Sequence, residues 1–191
     1  LPRWGNTLDV DQSARRWAAH NQSQPFKEQT MGNESASDQF EALDACHRDI
    51  TRHLAALGAL AKHIETDGID DQARQQAATI EAFFSGTSRQ HHAEEERSVF
   101  PILLSSGNAE LANAVRTLQQ DHGWIEEDWI ELAPRMRAIA LGNGWSDPTE
   151  FQNYVEVFTE LMRGHIALEE TLIYPESKAR WAQAVAQRRS S

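Results

Sequence analysis

From residue 37 onward, apolar residues recur at alternating steps of three and four. Phe40, Leu43, His47, Ile50, Leu54, Leu57, Ala61 and Ile64 form the first run. That spacing is one face of an α-helix and the seam of a bundle. Thr66-Asp67-Gly68 ends it, and Asp70 or Asp71 can cap the next helix. The second run places Ala77, Ile80, Phe84, Thr87, His91 and Glu95 on one face, then Ser98 and Ile102. It stops near Ser105-Ser106-Gly107, with Asn108 as the following cap. The third run is Leu111, Val115, Leu118, His122, Ile125, Trp129, Leu132, Met136 and Ile139. Pro134 interrupts it and predicts a kink or an early end, because proline lacks an N–H and clashes one turn back. Asp147-Pro148-Thr149-Glu150 supplies a cap, a proline at the first helical position and a capping box. The fourth run is Phe151, Tyr154, Phe158, Leu161, His165, Leu168 and Leu172; Pro175 marks a break.

Four helices joined by short loops predict an all-α, antiparallel up-and-down four-helix bundle over residues 37–176. Residues 1–36 are polar, with Trp4, Trp17 and Phe26 as scattered anchors, and read as an arm with one short helix from Asp9 to His20. Residues 177–191 read as a short helix, started by Trp181 and Val185, or a tail.

Each helix carries one histidine in its apolar seam: His47, His91, His122 and His165. A repeat underlies two of them. His91, Glu95, Glu96, Val99, Phe100 and Pro101 recur as His165, Glu169, Glu170, Ile173, Tyr174 and Pro175, each 74 residues on. His47 and His122 stand 75 residues apart, each followed by its own apolar series. The chain is thus two similar helical hairpins, which points to a closed bundle. In each repeat a histidine and a glutamate four residues apart leave one helix face. Four imidazoles and two carboxylates are too many polar groups to bury uncompensated, and one or two dications supply the compensation. Carboxylates can bridge two metals while imidazoles cap each one. The donor set suits iron, with manganese and zinc as competitors.

The net charge of −11 argues against nucleic acid or an anionic membrane surface as partner. One cysteine, Cys46, excludes an internal disulfide. No apolar run approaches a membrane span or a signal-peptide core, so a reducing cytoplasm is expected. His53 and His63 fall off the seam and read as surface residues. His92, Glu94, Glu96 and Glu170 read as solvated groups or supports of the ligands, and Asp44 and Asp121 as acceptors for histidine N–H groups. Trp124, Trp129 and Phe84 read as core, and Cys46 as an inert thiol. Gly123 and Gly164 beside two histidines suggest close helix approach.

The segments CHRDI, HHAEEERSVFP, DHGWI and HIALEETLIYP together resemble the hemerythrin-like, or HHE cation-binding, family, over about residues 38–176. The resemblance implies two irons, one held by His47 and His91, the other by His122 and His165, with Glu95 and Glu169 bridging. Oxygen-carrying members have a further histidine four residues after the third-helix one. That position is Glu126 here, and its ligation would disfavour reversible oxygen carriage. The implied activity is binding or sensing of O2, NO, peroxide or redox state. Metal storage or buffering, or a metal-stapled interaction module, are the alternatives. A ferritin-like carboxylate oxidase fits poorly, since that fold needs Glu-x-x-His on two helices and no histidine here follows a glutamate at that spacing.

Overall fold

The computed structural model describes residues 33–143 and 147–190, with side chains from residue 38. The expected arm and its short helix lie outside the described residues up to residue 32. Four long helices account for the rest. Helix α1 is Asn33–Asp67. Helix α2 spans residues 71–104, helix α3 is Ala109–Ala140, and helix α4 spans residues 148–189. α1 packs on α2 and α4, and α3 packs on the same two, closing an up-and-down bundle.

The stop and start signals act as read. Gly68 adopts φ +83° beyond α1, a conformation that costs glycine little. Asp70 accepts from the Ala73 N–H at 2.8 Å, and Asn108 accepts from Glu110 at 2.9 Å and Leu111 at 3.2 Å. Asp147 accepts from Thr149 at 2.9 Å, while Glu150 turns to Arg135 at 3.3 Å instead of closing the capping box. Pro134 does not end α3, which runs on to Ala140. Pro175 does not break α4 either, so the C-terminal residues extend that helix to Arg189.

Three π-turns explain where the seam departs from a regular period. They lie at Phe84–Ser88 and Glu95–Val99 in α2 and at Glu169–Ile173 in α4. Each inserts one residue and turns everything after it by about 100°. So Ser88 is buried where Thr87 was expected, and Val99, Phe100 and Leu103 replace Ser98 and Ile102. In α4, Ile173 and Tyr174 replace Leu172. The last two π-turns close with i→i+5 bonds, Phe100 N–H to Glu95 and Tyr174 N–H to Glu169. Pro101 and Pro175 follow directly, and the wider turn spares each proline its clash with the carbonyl one turn back.

Two apolar clusters fill the bundle. One gathers Leu54, Leu57, Ile80, Phe84, Trp129, Leu132, Phe151 and Phe158 around a three-ring contact of Phe84, Trp129 and Phe158. Trp129 donates to Ser85 Oγ at 3.0 Å, so its indole N–H is satisfied. The other gathers Phe40, Leu43, Val99, Phe100, Leu118, Ile173 and Tyr174. Three seam histidines sit between the two in sequence: His47 between Leu43 and Ile50, His91 between Phe84 and Val99, and His122 between Leu118 and Ile125. His165 follows Met162 of the first cluster and precedes Ile173 of the second, with Ile166 of the first between. The polar level is therefore sealed by hydrocarbon on both sides. Trp124, expected in the core, is 40% exposed. His53 is half-buried instead of on the surface, stacked on Phe83 at 3.8 Å. His63 is likewise half-buried, between Asp67 and Asp70. Gly123 and Gly164 do not serve close packing, since a Cβ at either would meet open space.

Candidate metal centre

All four helices deliver a donor to the sealed level. His47, His91, Glu95, His122, His165 and Glu169 are buried there, with no more than 5% of any residue exposed. The two glutamates each begin a π-turn, and each reaches both sides of the cluster. Glu169 Oε2 lies 3.2 Å from His47 Nε2, and its Oε1 lies 3.2 Å from His165 Nε2. Glu95 Oε1 lies 3.4 Å from His91 Nε2 and 3.9 Å from His47 Nε2, while Oε2 lies 3.5 Å from His122 Nε2. Two groups of potential ligand atoms result, each within 4.8 Å: His47, His91, Glu95 and Glu169, and His92, Glu95, His122 and His165.

Carboxylates outside the cluster orient the imidazoles. Glu170 Oε1 lies 3.3 Å from His47 Nδ1, and Glu96 Oε1 lies 3.1 Å from His122 Nδ1. Glu96 in turn accepts from Gln119 at 2.8 Å. These contacts obey the repeat, the histidine on the first helix of each hairpin meeting the glutamate next to a π-turn glutamate of the other hairpin. A proton on Nδ1 facing a carboxylate leaves the Nε2 lone pair aimed inward, as a metal ligand requires. Asp121 stands 3.7 Å from His165 Nδ1. Asp44 does not join them; it pairs with Lys178 at 2.8 Å.

The cluster's own chemistry asks for cations. His91 Nδ1 and Nε2, His92 Nε2, Glu95 Oε2 and both Glu169 oxygens are buried without a hydrogen bond. Such groups cost stability unless something pairs them. His122 Nε2 and His165 Nε2 approach to 3.2 Å. Two nitrogens at right angles on one metal, each about 2.0–2.1 Å from it, would stand roughly 3 Å apart. Without a metal the charges settle unevenly. Burial and the charge of His47 push His91 down to about 3. Burial would also lower His165, but Glu169 and Asp121 carry it up to about 10. Burial and the charge of Glu169 push Glu95 up to about 7. For Glu169, burial is outweighed by His165 and His47, which hold it well below the carboxylate range.

These protons must leave before a metal binds, which fixes the sign of the pH dependence. Below about pH 10 a proton is displaced from His165, and below about pH 7 another comes from Glu95. His47 and His122 add to these, because burial would lower both but Glu169 at His47 and Glu95 at His122 hold them above the ordinary imidazole value. Each costs about tenfold in apparent affinity per pH unit. Chelator competition should show affinity falling at least tenfold per unit from pH 9 to 7, and more steeply below. A flat profile from pH 9 to 6 would contradict these proton positions.

Glu126 lies outside both groups. Ile125 takes the inward position, and Glu126 turns outward to a bidentate ion pair with Arg89. Two residues at this level are not among those the sequence assigns to the site. His92 was read as solvated or supporting, yet it is buried in the second group. Tyr174 is the other. Its ring stacks on His47 at 4.8 Å, its hydroxyl donates to Glu95 Oε1, and it lies 3.1 Å from His47 Nε2. Burial, then the charges of Glu95 and Glu169, hold that phenol far above its ordinary pKa, so it stays a donor. Its repeat counterpart Phe100 stacks on His122 without a hydroxyl. Cys46 is held up to about 11 by burial and by Glu95, and so remains a thiol.

Among the described residues no helix is long and apolar enough to cross a membrane. No curated protein matches the chain. The family model for the hemerythrin HHE cation-binding domain matches residues 38–177, the span that supplies every helix of the polar level. By that match and by the buried His/Glu cluster it encloses, the chain belongs to the hemerythrin HHE cation-binding domain family.

Proposed function

We propose that the chain holds two iron ions and uses them to bind or sense O2, NO or redox state. His47 and His91 hold one ion, and His122 and His165 the other. Glu95 and Glu169 bridge them. The observation that carries this reading is the way each carboxylate divides its two oxygens between opposite pairs of histidines. Bound iron would supply one-electron chemistry and affinity for small π-acid or oxygen ligands. The chain's own residues do the rest. Glu96 and Glu170 fix the imidazole tautomers, and the Tyr174 hydroxyl holds a proton beside the His47 nitrogen. The flanking apolar clusters keep bulk water from this level.

Metal content per chain, with the visible spectrum of the same sample in air and then under NO, tests the reading. About two irons, ferric charge-transfer bands in the near ultraviolet and a spectral change with NO are expected. Zinc, or a protein that stays colourless after iron reconstitution, would overturn iron chemistry and leave metal buffering or a metal staple.

A further inference from the structure

We infer that His92 is a fifth imidazole ligand, placed with His122 and His165, which makes the two metal positions unequal. The inference rests on the binuclear reading above and departs from its four-histidine set. His92 is 6% exposed, and its ring stacks on His122 with centroids 4.3 Å apart and planes 20° apart. It meets the His165 ring edge-on at 5.3 Å. A ligand atom of His92 lies within 4.8 Å of those of Glu95, His122 and His165.

The backbone explains how two adjacent histidines both face inward. Consecutive helical residues point about 100° apart, so a regular helix that buries His91 in the seam leaves His92 at its margin. The π-turn at Phe84–Ser88 adds one residue before them and brings Ser88 inside. His91 and His92 then straddle the inner face. They diverge: His91 meets the His47 ring at 4.8 Å, and His92 meets His122.

The His92 Nε2 atom is buried and makes no hydrogen bond. An aromatic hydrocarbon would fill the same slot without that penalty. A buried ring nitrogen set among two other imidazoles and a carboxylate gains a partner when a cation sits among them. Three imidazoles then serve one position and two serve the other, where the Tyr174 hydroxyl lies against His47 Nε2. The position at His47 and His91 is the less saturated one.

Cobalt(II) substitution of the full chain tests this, because each coordinated imidazole gives one paramagnetically shifted, exchangeable N–H signal. Wild type should bind two Co(II) and show five such signals. His92→Phe should show four, with one of the two Co(II) bound at least tenfold more weakly and the other unchanged. The metal-free variant should melt at or above the wild-type temperature, since the substitution removes an unpaired buried nitrogen. That sets apart loss of a ligand from loss of fold. Four signals in wild type, or two unaltered Co(II) sites in His92→Phe, would overturn the inference alone. Fewer than two Co(II) in wild type would overturn the binuclear reading itself, and this inference with it.

Discussion

Glu169→Gln should weaken binding of at least one metal ion by more than a hundredfold. Removing an outer partner of a metal ligand typically costs about 10–100-fold, and Glu169 faces the ligand nitrogens directly, so its loss should exceed that range. Both its oxygens are committed, one 3.2 Å from His47 Nε2 and the other 3.2 Å from His165 Nε2. Glutamine keeps the volume but offers one acceptor, so it can serve one side at most. It also removes the charge that holds the His165 proton. The matched control is Glu126→Gln, which breaks a surface ion pair with Arg89 and should leave metal content unchanged. Iron content after desalting and competition with a graded chelator read both variants. If Glu169→Gln keeps two ions at wild-type affinity, Glu169 does not bridge. If Glu126→Gln loses one, Glu126 enters the site in the loaded protein.

The helices, their caps and the four seam histidines were legible because they follow periods that backbone geometry dictates. Each histidine took an apolar position in a 3–4 alternation, and the 74-residue repeat linked two of them to glutamates. What escaped depends on breaks in that period. A π-turn has no strong single-residue signature, so the burial of Val99, Ile173 and Tyr174 lay one residue away from expectation. His92 was missed for the same reason, being placed inward by the π-turn before it. The prolines held a usable signal. Pro101 and Pro175 stand at matching places in the repeat, and a proline inside an otherwise periodic helix must be accommodated by some local widening. Glu126 is a different case, facing Arg89 and lying outside both groups. The resemblance implied its role, whereas its position beside Ile125 already favoured the outer face. Phe100 and Tyr174 show that the repeat is chemically unequal, since only one half brings a hydroxyl to the site.

Removal of the metal should lower the melting temperature by roughly 8–16 °C for each ion present at about a thousandfold over its Kd. Ligation that favours the folded state contributes about 4 kcal/mol at that excess, and a domain of this size shifts by about 2–4 °C per kcal/mol. The structure says why the metal-free state is weaker. It buries the Glu95 and Glu169 carboxylates together with the nitrogens of His91 and His92, several of them without hydrogen bonds. The loss should be one of melting temperature and not of helix content at room temperature, because the two apolar clusters do not depend on the polar level between them. Thermal melts by circular dichroism, before and after chelation, measure both quantities. Equal melting temperatures in a protein shown to lose its metal would mean that the buried donors are not what binds it. Collapse of the helical signal on chelation would mean that the metal staples the bundle. In that case a silent response to NO in the loaded protein would move the function from gas sensing to structural support.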